Sequence, residues 1–210
     1  MCIAIVKKRG VNMPTDETLN ICYENNPHGC GYTINRNGKN YIYKGFMKLS
    51  ELMDSFKQTQ PHQSETVMIH FRVASVGSIN KSNCHPFVVT SKYENMQKLN
   101  IVTNLPIMVH NGTFKFFGET KNDYSDTMQF NKLVSEIIQD SEYFYNKPVD
   151  NFLKHYIEGN NCRVAFMFKN GFVDLYGKWI KDKVTNLYFS NENYKFITER
   201  FANKQLELDF

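Results

Sequence analysis

Cys2 stands directly behind the initiator methionine, at the head of the apolar run MCIAIV. Methionine aminopeptidases remove Met1 when the second residue is small, and this would leave one residue with both a thiol and a free α-amine. The usual pKa values of the two groups, about 8.5 and about 8, allow proton transfer between them at neutral pH. Cys2 is therefore a candidate nucleophile that carries its own base. The alternative is a small apolar residue that starts a buried strand.

Arg72 follows a strand-like segment in IHFRVASVGS, and small residues come after it. A planar guanidinium can donate two parallel hydrogen bonds to a carboxylate, which fixes the orientation of a ligand. Arg72 is therefore a candidate carboxylate-binding residue. The alternative is a solvated charge at a strand end.

Two further segments could complete a site for an amino acid. In VHNGTF, Asn111 and Gly112 could donate a carboxamide N–H and a backbone N–H to a negatively charged oxygen, although Asn-Gly is also common as a turn. In YSDTMQF, Asp126 could receive an ammonium group, so that with Arg72 it would recognise a zwitterion. Ser125 or Asp126 could instead be the N-cap of a helix.

The cysteine spacing argues against disulfides and a metal site, and the absence of two glycine-rich motifs argues against a nucleotide-binding loop of those types. The five cysteines include no CxxC pair, which argues against a disulfide framework and favours reduced thiols. Cys22, His28 and Cys30 have no fourth ligand type nearby, so we expect no metal site. Because neither GxxxxGK[ST] nor GxGxxG occurs, we expect no nucleotide-binding loop of these types and no cofactor.

Length and composition predict a single domain over residues 1–210, because 41% hydrophobic content can fill one sizeable core. The net charge of +4 is spread over interspersed acidic and basic residues, so we expect no direct nucleic-acid binding. No apolar run reaches the roughly 20 residues of a membrane helix, and the first residues lack the order of a secretory signal. We therefore expect a cytoplasmic protein without a membrane partner.

The candidate residues lie at the ends of predicted strands and helices. Apolar alternation predicts strands at Ile3 to Lys7, Gly31 to Phe46 with a turn at Asn37-Gly38, Thr66 to Val73, Phe87 to Val89, Ile101 to Val109, Val164 to Phe168, Phe172 to Tyr176 and Leu187 to Phe189. Apolar residues three and four apart predict helices at Leu49 to Phe56, Ser125 to Ile138 and Asp150 to Ile157. Strands joined by hairpins, then helices, then strands again indicate an α+β domain with antiparallel sheet.

Cys2 and the segments HFRVAS, NCHPF, HNG and SDT, in that order, resemble the class II glutamine amidotransferases, a branch of the N-terminal-nucleophile hydrolases. The segment NPHGCGYT, at 26–33, resembles the glycine-containing strand start of the stand-alone members. The resemblance spans roughly Cys2 to the helix after Asp126. It implies a four-layer αββα sandwich with two packed antiparallel sheets.

The resemblance also implies roles for individual residues. Cys2 would be the nucleophile, and Asn111 and Gly112 would form the oxyanion hole. Arg72 would bind the α-carboxylate of glutamine, and Asp126 would bind its α-ammonium.

Further substrate contacts would come from Ser75 and from the backbone of Val76. The chain departs from the family at this place, because it reads RVASVG where several members read RWATHG. Val73 and Val76 therefore replace a tryptophan and a histidine and can offer only backbone contacts. Ile3 also follows the cysteine where glycine is frequent in the family.

The implied function is that of a glutamine amidotransferase subunit, which hydrolyses the side-chain amide of glutamine through a Cys2 thioester and supplies ammonia to a separate acceptor synthetase. Two alternatives stay open: a stand-alone amidohydrolase of another γ-glutamyl compound, and a non-catalytic binding protein on the same fold. His70, His85 and His110 flank the motifs, and we assign them no role.

Overall fold

The computed structural model describes residues 1–117, 124–138 and 146–196. Within these ranges the chain is a mixed α/β fold with two antiparallel sheets and five helices, compatible with the expected α+β class. The strands are β1 (Ile3–Lys7), β2 (Cys30–Arg36), β3 (Lys39–Phe46), β4 (Thr66–Phe71), β5 (Phe87–Val88), β6 (Asn100–Thr103), β7 (Ile107–Asn111), β8 (Arg163–Met167), β9 (Val173–Tyr176), β10 (Ile180–Lys181) and β11 (Tyr188–Phe189). The helices are α1 (Asp16–Glu24), α2 (Leu49–Thr59), α3 (Tyr93–Gln97), α4 (Asp126–Ile137) and α5 (Lys147–Gly159).

The first strand lies in the interior of the larger sheet. That sheet has seven strands in the order β10-β11-β1-β4-β2-β3-β6, and the smaller one has four in the order β5-β7-β8-β9. In the β1–β4 pair, Ile3 lies opposite Phe71, so the residues just before β1 meet the residues just after β4. This register brings Cys2 to the segment that contains Arg72.

Apolar side chains pack in three regions. One cluster joins the facing surfaces of the two sheets and contains Ala4, Val6, Val109 and Ala165. A second packs α1 and α2 against the other face of the larger sheet through Leu19, Leu52, Ile3 and Ile5. A third packs α4 and α5 against the smaller sheet through Phe130, Val134, Leu153 and Val164.

The predicted hairpin at Asn37-Gly38 is confirmed. Asn37 and Gly38 have φ of 50° and 74°, the left-handed conformation that a two-residue turn between β2 and β3 needs. The single strand predicted at Ile101 to Val109 is wrong, because the chain passes there from one sheet to the other. β6 pairs with β3, whereas β7 pairs with β5 and β8, and Pro106, which has no N–H to donate, lies between them.

Helix α1 was not predicted, because its apolar residues do not form a clear stripe. Its N-terminus has a local signal nevertheless, since the Thr15 hydroxyl accepts a hydrogen bond from the N–H of Thr18 at 3.2 Å. Helix α5 begins at Lys147, earlier than predicted, with Pro148 in its first turn. None of the helices in the described ranges is long and apolar enough to cross a membrane.

Candidate active site

A narrow cleft lies at the start of β1, where the ends of β4 and β7 and the N-terminus of α4 meet. Six of the seven predicted site residues line it: Cys2, Arg72, Ser75, Val76, Gly112 and Asp126. Its enclosed part has room for about one water molecule, so an amino acid would have to extend into the open mouth. The cleft therefore brings these six residues together from four separate segments of the chain.

Cys2 points toward the space between the two sheets. Side chains alternate along a strand, so Cys2 shares its face with Ala4 and Val6, which belong to the cluster between the sheets. The Cys2 Sγ lies 3.3 Å from both the carbonyl oxygen and the nitrogen of Val73. Burial raises the pKa of the Cys2 thiol, while the Val73 N–H and the positive charges of the terminal amine and Arg72 lower it.

Arg72 is buried, with 4% of its surface exposed, so it is not the solvated charge that its place at a strand end also allowed. Its guanidinium donates to the carbonyl oxygens of Ser78 at 2.7 Å and Val76 at 3.1 Å. Its backbone N–H donates to Gly29 O at 2.9 Å, within the segment NPHGCGYT. The turn that contains Val76 and Ser78 thus holds the Arg72 guanidinium in the wall of the cleft, and Gly29 holds its backbone.

Asp126 is not the N-cap of α4. The cap is Ser125, whose hydroxyl accepts from the N–H of Met128 at 3.2 Å. The Asp126 carboxylate accepts instead from the N–H of Phe114 at 2.7 Å and lines the cleft. Burial raises the pKa of this carboxyl, and the N–H groups of Phe114 and Thr127 and the charge of Arg72 lower it.

Ser75 and Val76 form the rim of the cleft. The Ser75 hydroxyl is exposed and lies 3.1 Å from the hydroxyl of Thr113, the residue after Gly112. The Val76 carbonyl is bonded to the Arg72 guanidinium. His28 stabilises the turn that follows Arg72, because its Nδ1 accepts a hydrogen bond from the N–H of Ala74 at 3.0 Å.

Asn111 is the one predicted site residue that does not line the cleft. It ends β7, is fully buried, and its side chain shares a face with Val109, toward the space between the sheets. Its Nδ2 lies 3.0 Å from the Ser190 hydroxyl. Gly112 follows with φ of 139°, and a Cβ there would lie 2.6 Å from Cys162 Sγ, so that only glycine fits.

Three buried histidines lie behind the cleft, and His85 and His110 line it. His70 Nε2 lies 2.9 Å from the His110 carbonyl oxygen and 3.0 Å from His85 Nδ1. A carbonyl only accepts, so His70 carries its proton on Nε2, and His85 Nδ1 is left as an acceptor. Burial lowers the pKa of His70 and of His110 to about 3 and that of His85 well below its usual value, so all three rings are neutral at pH 7.

His110 connects the histidines to Asp126. Its Nδ1 lies 2.8 Å from the Thr127 hydroxyl, which donates to the Asp126 carboxylate at 3.4 Å. Neutral His85 must then carry its proton on Nε2, because its Nδ1 accepts from His70. The cleft is therefore lined by uncharged imidazoles in addition to the guanidinium and the carboxylate.

Sequence reasoning assigned no role to His85, His110, Thr127 or Ser190, although the structure brings all four to the cleft or to Asn111. The first three could have been found, because they lie within the motifs NCHPF, HNG and SDT that carry the resemblance. Ser190 has no such signal, since it lies in a plain strand end far along the chain.

A scan against protein-family models finds no match to this chain, and a search of curated proteins finds none either. The case for a function therefore rests on the cleft. It combines a thiol, a buried guanidinium and a buried carboxylate, which are the groups needed to bind an amino acid and to attack a carbonyl carbon.

Proposed function

We propose that this chain is a class II glutamine amidotransferase domain, with the four-layer fold of the N-terminal-nucleophile hydrolases. The observation that carries the proposal is that Cys2, Arg72 and Asp126 line one cleft although they are far apart in the sequence. The packing of helices on the outer face of each sheet, with an apolar layer between the sheets, supports the proposed fold.

Glutamine binding would use the two buried charges. The Arg72 guanidinium would bind the α-carboxylate and the Asp126 carboxylate the α-ammonium, so that the side-chain amide extends toward Cys2. Each charge is held by backbone groups, which supports a binding role because their positions are fixed before the ligand arrives. The Ser75 hydroxyl and the Val76 backbone would contact the substrate at the rim.

The reaction requires removal of Met1, which frees the α-amine of Cys2. That amine takes the thiol proton, and the sulfur attacks the side-chain carbonyl carbon of glutamine. The oxyanion is stabilised by the Asn111 carboxamide and the Gly112 N–H, and the C–N bond then breaks as the ammonium returns its proton to the leaving nitrogen. Ammonia leaves, and water hydrolyses the thioester to glutamate and regenerates the thiol.

Ammonia would pass to a separate synthetase in the cytoplasm that activates the acceptor. The chain contains no nucleotide-binding loop of the two types considered, which supports a division of labour between two proteins. No cofactor enters the proposed chemistry, because the nucleophile and its base belong to the same residue.

The decisive experiment treats the protein, purified from its native host, with a diazoketone analogue of glutamine and measures the intact mass and the peptide masses. We expect a chain without Met1 that carries one label on Cys2. A chain that retains Met1, or a label on another residue, would contradict the proposal and favour the non-catalytic binding protein.

A substrate competition separates the two enzymatic alternatives. Release of glutamate is measured from glutamine and from γ-glutamyl dipeptides at equal concentrations. We expect a higher kcat/KM for glutamine, whereas a preference for the dipeptides would point to a stand-alone γ-glutamyl amidohydrolase.

A further inference from the structure

Ser190 links the first strand to the candidate oxyanion residue. It follows β11, is fully buried, and its hydroxyl accepts from the N–H of Ala4 at 2.8 Å. Its backbone N–H donates to the Ala4 carbonyl at 3.0 Å, and Asn191 next to it donates to the Cys2 carbonyl at 2.7 Å. The residues after β11 thus fix the start of β1, next to the candidate nucleophile Cys2.

The same hydroxyl lies 3.0 Å from the Asn111 Nδ2. In this arrangement Ser190 accepts two hydrogen bonds, while Asn111 Oδ1 is buried with no hydrogen-bond partner in the described part of the chain. A hydroxyl can donate once and accept twice, so its proton is not used by either contact. The arrangement leaves one good acceptor unpaired next to one unused donor.

A half-turn of the Asn111 carboxamide would let the unused Ser190 proton bond to the unpaired Oδ1. The two ends of the group have nearly the same shape, so the hydrogen bonds around it decide which end faces Ser190. With Oδ1 toward Ser190, the hydroxyl donates to the amide and still accepts from Ala4 N–H. The Asn111 NH₂ then occupies the buried position that lacked a partner.

We propose that Ser190 is a positioning residue that donates to Asn111 Oδ1 and thereby turns the Asn111 NH₂ toward the carbonyl that Cys2 attacks. This inference rests on the proposed function. Cys2 and Asn111 face the same space between the sheets, and β1 and β7 both reach the cleft end of that space. An unpaired NH₂ there is a donor ready for an oxyanion, and a bond from Ser190 to the amide oxygen strengthens it.

A double-mutant cycle on kcat tests whether Ser190 acts through Asn111. Asn111→Ala is expected to lower kcat by about 100-fold to 1,000-fold, and Ser190→Ala by about 10-fold with little change in KM, the effect of one hydrogen bond. The double variant should be no slower than Asn111→Ala. An unchanged kcat in Ser190→Ala, or a double variant slower than Asn111→Ala by a further 10-fold, would overturn the inference. Ser64→Ala, at an exposed hydroxyl, is the matched control and should keep the wild-type kcat.

Neutron diffraction from wild-type crystals exchanged into D₂O tests the inference without any activity. We expect deuterium on Ser190 Oγ directed at Asn111 and two deuterons on the Asn111 nitrogen directed away from Ser190. An Asn111 ND₂ group directed at Ser190 would refute the inference. If the protein shows no glutaminase activity, the proposed function fails, and this measurement still decides the orientation of the amide.

Discussion

A polar residue lies at each end of β1, and the two surroundings differ in how completely their hydrogen bonds are satisfied. At the far end, the buried Lys7 ammonium donates to the carbonyl oxygens of His62, Gln63 and Glu65 at 2.8, 2.8 and 2.6 Å. At the Cys2 end, three buried polar groups have no partner in the described part of the chain: the end of the Asn111 carboxamide directed away from Ser190, His70 Nδ1 and His110 Nε2.

The comparison separates a structural polar site from a candidate functional one. Buried polar atoms are nearly always paired, because an unpaired one costs roughly 1–3 kcal/mol. The Lys7 ammonium follows that rule, because it has three carbonyl partners and needs no ligand. The Cys2 end departs from it in a group of neighbouring residues, one of which, His110, lines the candidate cleft. Substitutions at the two ends should therefore affect different properties.

The largest expected effect is on turnover in Cys2→Ala. Removing the thiol removes the bond-forming atom, so glutamine hydrolysis should fall below detection while the melting temperature stays close to that of the wild type. Cys30→Ala and Cys84→Ala change buried thiols outside the cleft and should keep turnover. Residual activity in Cys2→Ala, measured as ammonia release, would remove Cys2 from its proposed role.

The next effect is the contrast between two buried asparagines. Asn131, in α4, is buried, donates one bond to Val88 O at 2.8 Å and has an unpaired Oδ1. Neither of its sequence neighbours lines the cleft, whereas both neighbours of Asn111, His110 and Gly112, do. Asn111→Ala should lower kcat by about 100-fold to 1,000-fold, whereas Asn131→Ala should leave kcat within about 2-fold of the wild type and lower only stability. Equal kcat values in the two variants would contradict the comparison.

Lys7→Met should change stability and leave catalysis intact. Methionine keeps most of the apolar volume but removes the donor to three carbonyl groups, so the free energy of unfolding should fall by about 1–3 kcal/mol in urea titration. The kcat per folded molecule should equal that of the wild type. A drop in kcat without a change in unfolding would show that the two ends of β1 are not separate.

The effect that is smallest per unit of change is a pH dependence of stability, which comes from the histidines at the cleft. Burial lowers the pKa of His70 to about 3, and the unfolded value is about 6.5, so between these values the unfolded chain binds more protons. The free energy of unfolding should therefore fall as the pH falls, by on the order of 1 kcal/mol per pH unit for this group.

His70→Gln should reduce that slope between pH 6 and pH 4 by about the same amount, measured by urea titration at several pH values. His155→Gln, at an exposed position on α5, is the control and should leave the slope unchanged. A His70→Gln variant with the wild-type slope would show that folding does not lower the pKa of His70.

Local signals account for the parts of the fold that were predicted. Asn37-Gly38 defines its hairpin because only such residues tolerate its backbone conformation, and Ser125 caps α4 because a hydroxyl there meets the first free N–H groups. The break between β6 and β7 was missed, because an apolar run has the same appearance whichever sheet each half joins.

By itself, the sequence determined the chemical groups of the candidate site: the second-position thiol, the guanidinium, the carboxylate and the Asn-Gly pair. Only the tertiary structure decided that Arg72 is buried, that Asn111 is buried between two residues that line the cleft, and that Ser190 meets Asn111. The physical reason is that residue type and spacing act over a few neighbours, whereas strand register and the packing of two sheets set contacts between segments far apart in the chain.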